Sequence, residues 1–151
     1  MDSQEIIRVL QQLLEAEIAA LEYYRIHAEA IEDAEIAEGV RAIIPAEHSH
    51  AVKLAARIRE LKGAPDPVSE AAVRRGRKMG DESRQGGTLG MLRFELEQEQ
   101  QAIKDYALPI AEIEDDLETL DILEEQLLDE MRHAKWLKRK ILEFRGDPET
   151  G

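Results

Sequence analysis

The 151-residue sequence has no cysteine. That excludes disulfides, a thiolate zinc site and a thiolate-ligated iron centre. Aromatic residues make up only 4% of the chain and β-branched runs are sparse, so the strand formers a sheet needs are missing. Basic side chains are outnumbered, 20 Lys and Arg against 33 Asp and Glu, for a net charge of −13. A nucleic-acid surface needs clustered Lys and Arg, so we expect no nucleic-acid partner. An acidic surface attracts cations instead. No apolar run is long enough to cross a membrane and no signal peptide is present. We therefore expect no membrane partner and a cytoplasmic location. The remaining composition, 43% hydrophobic and 35% charged, suits a helical protein of one domain, residues 1–151.

Histidine is scarce as well: there are four. Two of them sit in one short motif written twice, Glu47-x-x-His50-Ala51 and Glu130-x-x-His133-Ala134. On a helix a three-residue step turns about 300° and rises about 4.5 Å, so carboxylate and imidazole leave one face about one turn apart. The match extends downstream: Leu54, Ile58, Glu60 and Leu61 correspond to Leu137, Ile141, Glu143 and Phe144, an offset of 130 − 47 = 83. Upstream, Glu17-x-x-Ala20-Leu21-x-x-Tyr24 corresponds to Glu99-x-x-Ala102-Ile103-x-x-Tyr106, offset 99 − 17 = 82. The separations within each half agree, 47 − 17 = 30 and 130 − 99 = 31. The chain thus reads as two related helical hairpins, too few units for a solenoid.

Apolar spacing predicts helices over about 3–31, 34–62, 88–113 and 117–145. Ser3 is the expected N-cap of the first, and Gly63 with Pro65 closes the second. Pro45 lies inside the second helix as a tolerated kink. Residues 63–87 form a crossover carrying a short amphipathic helix over 68–79. Its cluster Arg74, Arg75, Arg77 and Lys78 reads as solvated surface on an acidic protein. Short outer loops with a long middle one predict an all-α four-helix bundle whose third helix starts at the distal end.

Such a bundle brings Glu17, Glu47, His50, Glu99, Glu130 and His133 to its middle. Four carboxylates buried together are costly unless protonated or neutralised. Two divalent cations balance their charge and leave the imidazoles neutral. Iron or manganese suits this mixed oxygen and nitrogen set, and zinc also fits. Glu97 is the alternative to Glu99, which carries the Ala and Tyr spacing of Glu17. Tyr24 and Tyr106, each seven residues after a candidate ligand, are placed to donate hydrogen bonds to ligand carboxylates.

These residues resemble the ferritin-like di-iron carboxylate superfamily, especially bacterioferritins and rubrerythrins, in which two helices each give a Glu and two give Glu-x-x-His. The resemblance covers most of residues 6–62 and 89–145. It implies a ferritin-like bundle with two iron ions as cofactors, bridged by Glu47 and Glu130, with Glu17, His50, Glu99 and His133 as terminal ligands. The implied activity is oxidation of Fe(II) by oxygen or peroxide, of ferroxidase or peroxide-scavenging type. Three departures narrow it. His48 stands where bacterioferritin has its haem-binding Met, which speaks against haem. The chain ends soon after Arg145, which argues against the fifth helix of storage cages. Ala102 replaces the extra Glu of rubrerythrins, and their Cys-rich rubredoxin domain is missing. His27 matches a family position but not a ligand one. Long amphipathic helices in a small chain predict a homo-oligomer, with a dimer as the simplest form. Two other readings remain open: a non-catalytic metal-binding or interaction bundle, and a di-iron oxygenase with an organic substrate.

Overall fold

The computed structural model describes residues 1–146; residues 147–151 of the expected domain lie outside the described residues. Among the described residues there are five helices and no strand: α1 (Ser3–Ala30), α2 (Ala34–Glu60), α3 (Glu70–Arg84), α4 (Gly87–Glu112) and α5 (Leu117–Glu143). The helices α1 and α2 pair as one hairpin, α4 and α5 as the other, and α3 lies along α1 and touches α4. No helix among them is long and apolar enough to cross a membrane.

Asp2, not Ser3, caps α1. Its carboxylate accepts from Glu5 N at 2.8 Å, and the Glu5 carboxylate accepts from Asp2 N at 2.9 Å. This reciprocal box needs an acidic residue at the third helical position, and Glu5 supplies it for Asp2. Asp33, Ser69 and Asp116 cap α2, α3 and α5 in the simpler one-bond way. At the end of α2, Lys62 adopts the left-handed conformation, φ 71°. Gly63 is required for closeness instead, because a Cβ there would meet Ile58 Cγ2 at 2.8 Å.

The crossover is more helical than its composition suggests. The helix expected over 68–79 runs from Glu70 to Arg84. Tertiary packing overrides the helix-weakening glycines. A Cβ on Gly76 would meet the Ala19 carbonyl oxygen at 2.3 Å. The absence of side chains thus lets α3 lie directly on the α1 backbone.

The apolar core falls into two clusters. One joins Leu10, Leu14 and Ile18 of α1 to Leu54 and Ile58 of α2, Tyr106 of α4 and Leu123 of α5. The other joins Tyr24 and Ala28 of α1 to Val40 and Ile43 of α2, Leu92 of α4 and Leu137 of α5. Along every helix of the two hairpins, the residues between these clusters are polar and buried: Glu17, Glu47 with His50, Glu95 with Glu99, and Glu130.

One end of the bundle is tied by Arg57, whose side chain is 9% exposed. Its Nε donates to Thr119 Oγ1 at 2.9 Å, one terminal nitrogen donates to Asp116 at 2.8 Å, and the other meets Glu60 and Glu118. Asp116 is also the α5 cap. Burial opposes its charge, but hydrogen bonds from Thr119 and the nearby Arg57 hold its carboxyl below the usual range. Arg57→Met should cost about 2 kcal/mol, less than a fully buried pair because Glu60 and Glu118 stay in water. A depressed carboxylate pKa stabilises above its unfolded value and stops doing so as pH falls through the folded one. Urea unfolding against pH should therefore show a shallower acid limb for Arg57→Met than for the parent chain.

Candidate metal centre

Each helix of the two hairpins brings its acidic residues to the polar layer on the face that also buries leucines. Glu17 stands between Leu14 and Ile18, Glu47 between Ile43 and Leu54, and Glu130 between Leu123 and Leu137, all at core-facing spacing. Four residues converge as Glu17, Glu47, His50 and Glu130, and four as Glu47, Glu99, Glu130 and His133, with the ligand atoms of each set within 4.8 Å of one another. The sets share Glu47 and Glu130. Glu99 is buried in the second, whereas Glu97 is exposed on α4. His48 is likewise exposed on α2.

His50 Nδ1 lies 3.2 Å from Glu17 Oε2, 3.4 Å from Glu47 Oε1 and 3.3 Å from Glu130 Oε1. His133 Nδ1 lies 3.5 Å from Glu47, 3.6 Å from Glu99 and 3.5 Å from Glu130. In each set a single nitrogen faces three carboxylate oxygens. Several of these atoms are buried without a hydrogen-bond partner: Glu47 Oε1, Glu99 Oε2, Glu130 Oε1 and His133 Nδ1. Such orphans are costly in a folded interior. Two divalent cations would answer all of them and would offset four carboxylates with neutral imidazoles. The residues present therefore fit the metal pair that the fold implies.

The electrostatics describe a site that holds protons where a cation would sit. Burial, followed by neighbouring carboxylates, pushes Glu47 well up. Burial and Glu130 raise Glu17 to about 7, and burial raises Glu99 to about 8. Burial works against charge on the histidines, but the facing carboxylates of Glu130 and Glu17 lift His50 to about 11, and those of Glu130 and Glu99 lift His133 to about 9. Burial would raise Glu130 too, yet the two imidazoliums win and hold it ionised.

Each tyrosine crosses to the opposite hairpin. Tyr24 of α1 donates to Glu99 Oε1 of α4 at 2.5 Å, and Tyr106 of α4 donates to Glu17 Oε1 of α1 at 3.3 Å. Burial and then the nearby carboxylate raise both phenols well above their usual value, so each keeps the proton it donates. The sequence signals the tyrosines by spacing but not the exchange of partners.

Three supporting residues stand outside the repeated motifs. Asp129 accepts from His50 Nε2 at 2.8 Å, and Gln126 donates to the Tyr106 hydroxyl at 2.8 Å. Gln126 stands four residues before Glu130, so helical spacing alone puts it on the ligand face. Glu95 stands four before Glu99 in the same way and is fully buried. It meets His27 Nδ1 at 2.5 Å, and His27 Nε2 meets Ser83 Oγ of α3 at 2.7 Å. Burial drives Glu95 well up and His27 down to about 4. Both are thus neutral at pH 7. The chain runs from the Glu95 hydroxyl to Nδ1, from Nε2–H to Ser83, and from Ser83 to the Met79 carbonyl at 2.6 Å. This neutral chain links α1, α4 and α3 beside the centre.

A cavity of about 210 Å³ opens from the surface between α1, α3 and α4 onto Glu17, Glu47, Glu99 and Glu130. Small residues, Ala16, Ala20 and Ala102 among them, line it, and Arg75, Gln98 and Asp105 also border it. Arg75 therefore has a specific place; Arg74, Arg77 and Lys78 are exposed beside nearby acids.

The sequence matches the ferritin-like domain family over residues 7–145. No curated protein matches it. Among solved structures, it is similar to the bacterioferritin-related protein of Bacteroides fragilis, a dodecameric thioferritin, with a TM-score of 0.78 at 22% identity over 95% of this chain and 88% of that one. This likeness speaks for the fold. It is also similar to Rhodobacter capsulatus bacterioferritin, a structure with a metal-free dinuclear site and a haem iron, with a TM-score of 0.75 at 26% identity over 94% and 86% of the two chains.

Proposed function

This chain belongs to the ferritin-like domain family, and from that premise we propose that it is a di-iron oxidoreductase that oxidises Fe(II) with oxygen or peroxide. The observation that carries the reading is the pair of overlapping ligand sets with orphaned, buried oxygen and nitrogen atoms. Glu47 and Glu130, common to both sets, would serve both ions, with Glu17 and His50 completing one position and Glu99 and His133 the other. Iron, when bound, supplies one electron from each Fe(II), enough in pairs to reduce oxygen to peroxide or peroxide to water.

The chain's own residues do the rest. The four carboxylates would hold the ions and offset their charge. Tyr24 and Tyr106 hold two of them in orientation. The cavity beside Ala102 admits the reactants, while the apolar clusters above and below exclude water. We also infer a homo-oligomer: the Bacteroides fragilis neighbour is dodecameric, and α2 and α5 leave Val52, Leu128 and Met131 exposed.

The test is anaerobic loading with Fe(II) followed by air. Absorbance of the oxidised product should saturate at two iron per chain, one for each ligand set. Protein that binds only redox-inert metal and consumes no oxygen would overturn the reading in favour of a non-catalytic bundle. The cavity makes a separate prediction. Ala102→Leu should slow oxidation about tenfold, a barrier increase of ~1.4 kcal/mol. Equilibrium Zn(II) binding should be unchanged, because no ligand is touched.

A further inference from the structure

The two hairpins are repeats, but α5 carries two polar side chains that α2 lacks at the matching positions. The offset that pairs Glu47 with Glu130 pairs Ile43 with Gln126 and Ala46 with Asp129. Both extra groups serve the same ligand set.

Gln126 is 1% exposed, and its Nε2 donates to the Tyr106 hydroxyl, which donates to Glu17. A phenol has a single proton. With the amide N–H aimed at its oxygen, that proton is free for Glu17. With the amide reversed, the amide oxygen would take the proton and Tyr106 would face the carboxylate with lone pairs. The Gln126 Oε1 is buried without a partner, a cost that an apolar residue there would avoid. Glu99 differs: Tyr24 donates to it, and Ile43, the residue that matches Gln126, has no side-chain N–H to offer that phenol.

The histidines differ more. Asp129 accepts from His50 Nε2 and is itself held by Arg132 at 3.0 Å. A carboxylate on the outer nitrogen fixes the ring and its tautomer and makes the inner nitrogen a better ligand. At the matching place beside His133 stands Ala46, which can accept nothing through its side chain.

We propose that Asp129 and Gln126 are positioning residues that make the two metal positions unequal, so that the divalent ion at Glu17 and His50 binds first and more tightly than the ion at Glu99 and His133. This rests on the assignment of the six ligands above and deepens it.

The experiment is an anaerobic titration of the metal-free full chain with Co(II), followed by calorimetry and by the visible bands of the bound ion. The parent chain should bind in two resolved steps. Asp129→Ala should weaken the first step about tenfold, the usual scale for outer-sphere partners of a ligand, shift the bands of the first-bound ion and leave the second step unchanged. Gln126→Met should also weaken the first step, and combined with Tyr106→Phe it should add nothing to the loss from Tyr106→Phe alone. Ala46→Asp should strengthen the second step.

A single step in the parent chain, or variants that weaken both steps alike, as general loosening would, overturns the inference while leaving the ligand assignment standing. A parent chain that binds no Co(II) overturns both. If Gln126→Met does not fold without metal, the Asp129→Ala and Ala46→Asp pair decides the outcome.

Discussion

Glu47→Gln and Glu130→Gln, the same change at equivalent positions of the repeat, should have the same effect on iron oxidation and different effects on the stability of the metal-free chain. Both carboxylates are shared by the two ligand sets. On the proposed assignment, losing either would remove a charge shared by both ions, and the several kcal/mol that metal coordination contributes correspond to at least about a hundredfold in rate. In the metal-free chain the two residues differ in protonation. Burial and neighbouring acids keep Glu47 protonated at neutral pH, so a glutamine replaces one neutral group by another of the same shape. Its unfolding free energy should move by less than about 0.5 kcal/mol, the scale of a change that creates neither a cavity nor an unpaired charge.

Glu130 is ionised between two imidazoliums. Its neutral replacement leaves buried positive charge uncompensated, at a cost on the order of 3 kcal/mol. Urea unfolding at neutral pH with chelator present checks both values. Equal destabilisation by the two substitutions would show that the buried charge is not distributed in this way.

The contrast between Glu47 and Glu130 also marks the boundary of what the sequence discloses. Periodicity puts Glu17, Glu47, Glu99 and Glu130 on apolar faces, and the doubled spacing pairs the hairpins. These are properties of one helix at a time. The partners of a side chain across the bundle depend on how the helices are rotated and staggered against one another, and no single-helix pattern contains that. Tyr24 and Tyr106 are recognisable by position, but that each serves the opposite hairpin is a fact of packing. Helical spacing separates Glu95, one turn before Glu99, from Glu97 on the other side, but it does not name the partner of Glu95. Packing buries Glu95 against His27 and leaves Glu97 exposed. The length of α3 escapes for a related reason, since Gly76 and Gly80 read locally as helix-weakening but are contact points against α1.

The repeat is also imperfect where it matters. A perfectly symmetric pair of hairpins would give two identical half-sites. The differences between Ile43 and Gln126, and between Ala46 and Asp129, fall beside the ligands themselves. They are single-residue differences inside a matched pattern.

Removing metal should lower the melting temperature by an amount that grows with pH. In the metal-free chain the folded state holds more protons than the unfolded state. Glu17 and Glu99 titrate at about 7 and about 8, and His50 and His133 at about 11 and about 9. A pKa raised by folding stabilises fully below the unfolded value, and that contribution is lost as pH rises through the folded value. The carboxyls therefore withdraw stability from their unfolded value near 4.5 up to about 8. The histidines do so from near 6.5 upward. The depressed Glu130 has the opposite sign, but it acts only on the acid side of its unfolded value of 4.5.

Bound metal reverses the trend, because both imidazoles must lose a proton to ligate and each displaced proton makes apparent affinity rise up to about tenfold per pH unit. At a free metal concentration about a thousandfold above Kd, binding adds ~4 kcal/mol. For a chain of this size that is about 10 °C in Tm. Calorimetric melts with and without chelator, from about pH 5.5 to about pH 8.5, should show the two curves diverging. Parallel curves would mean that the protons are not held on the residues that bind the metal.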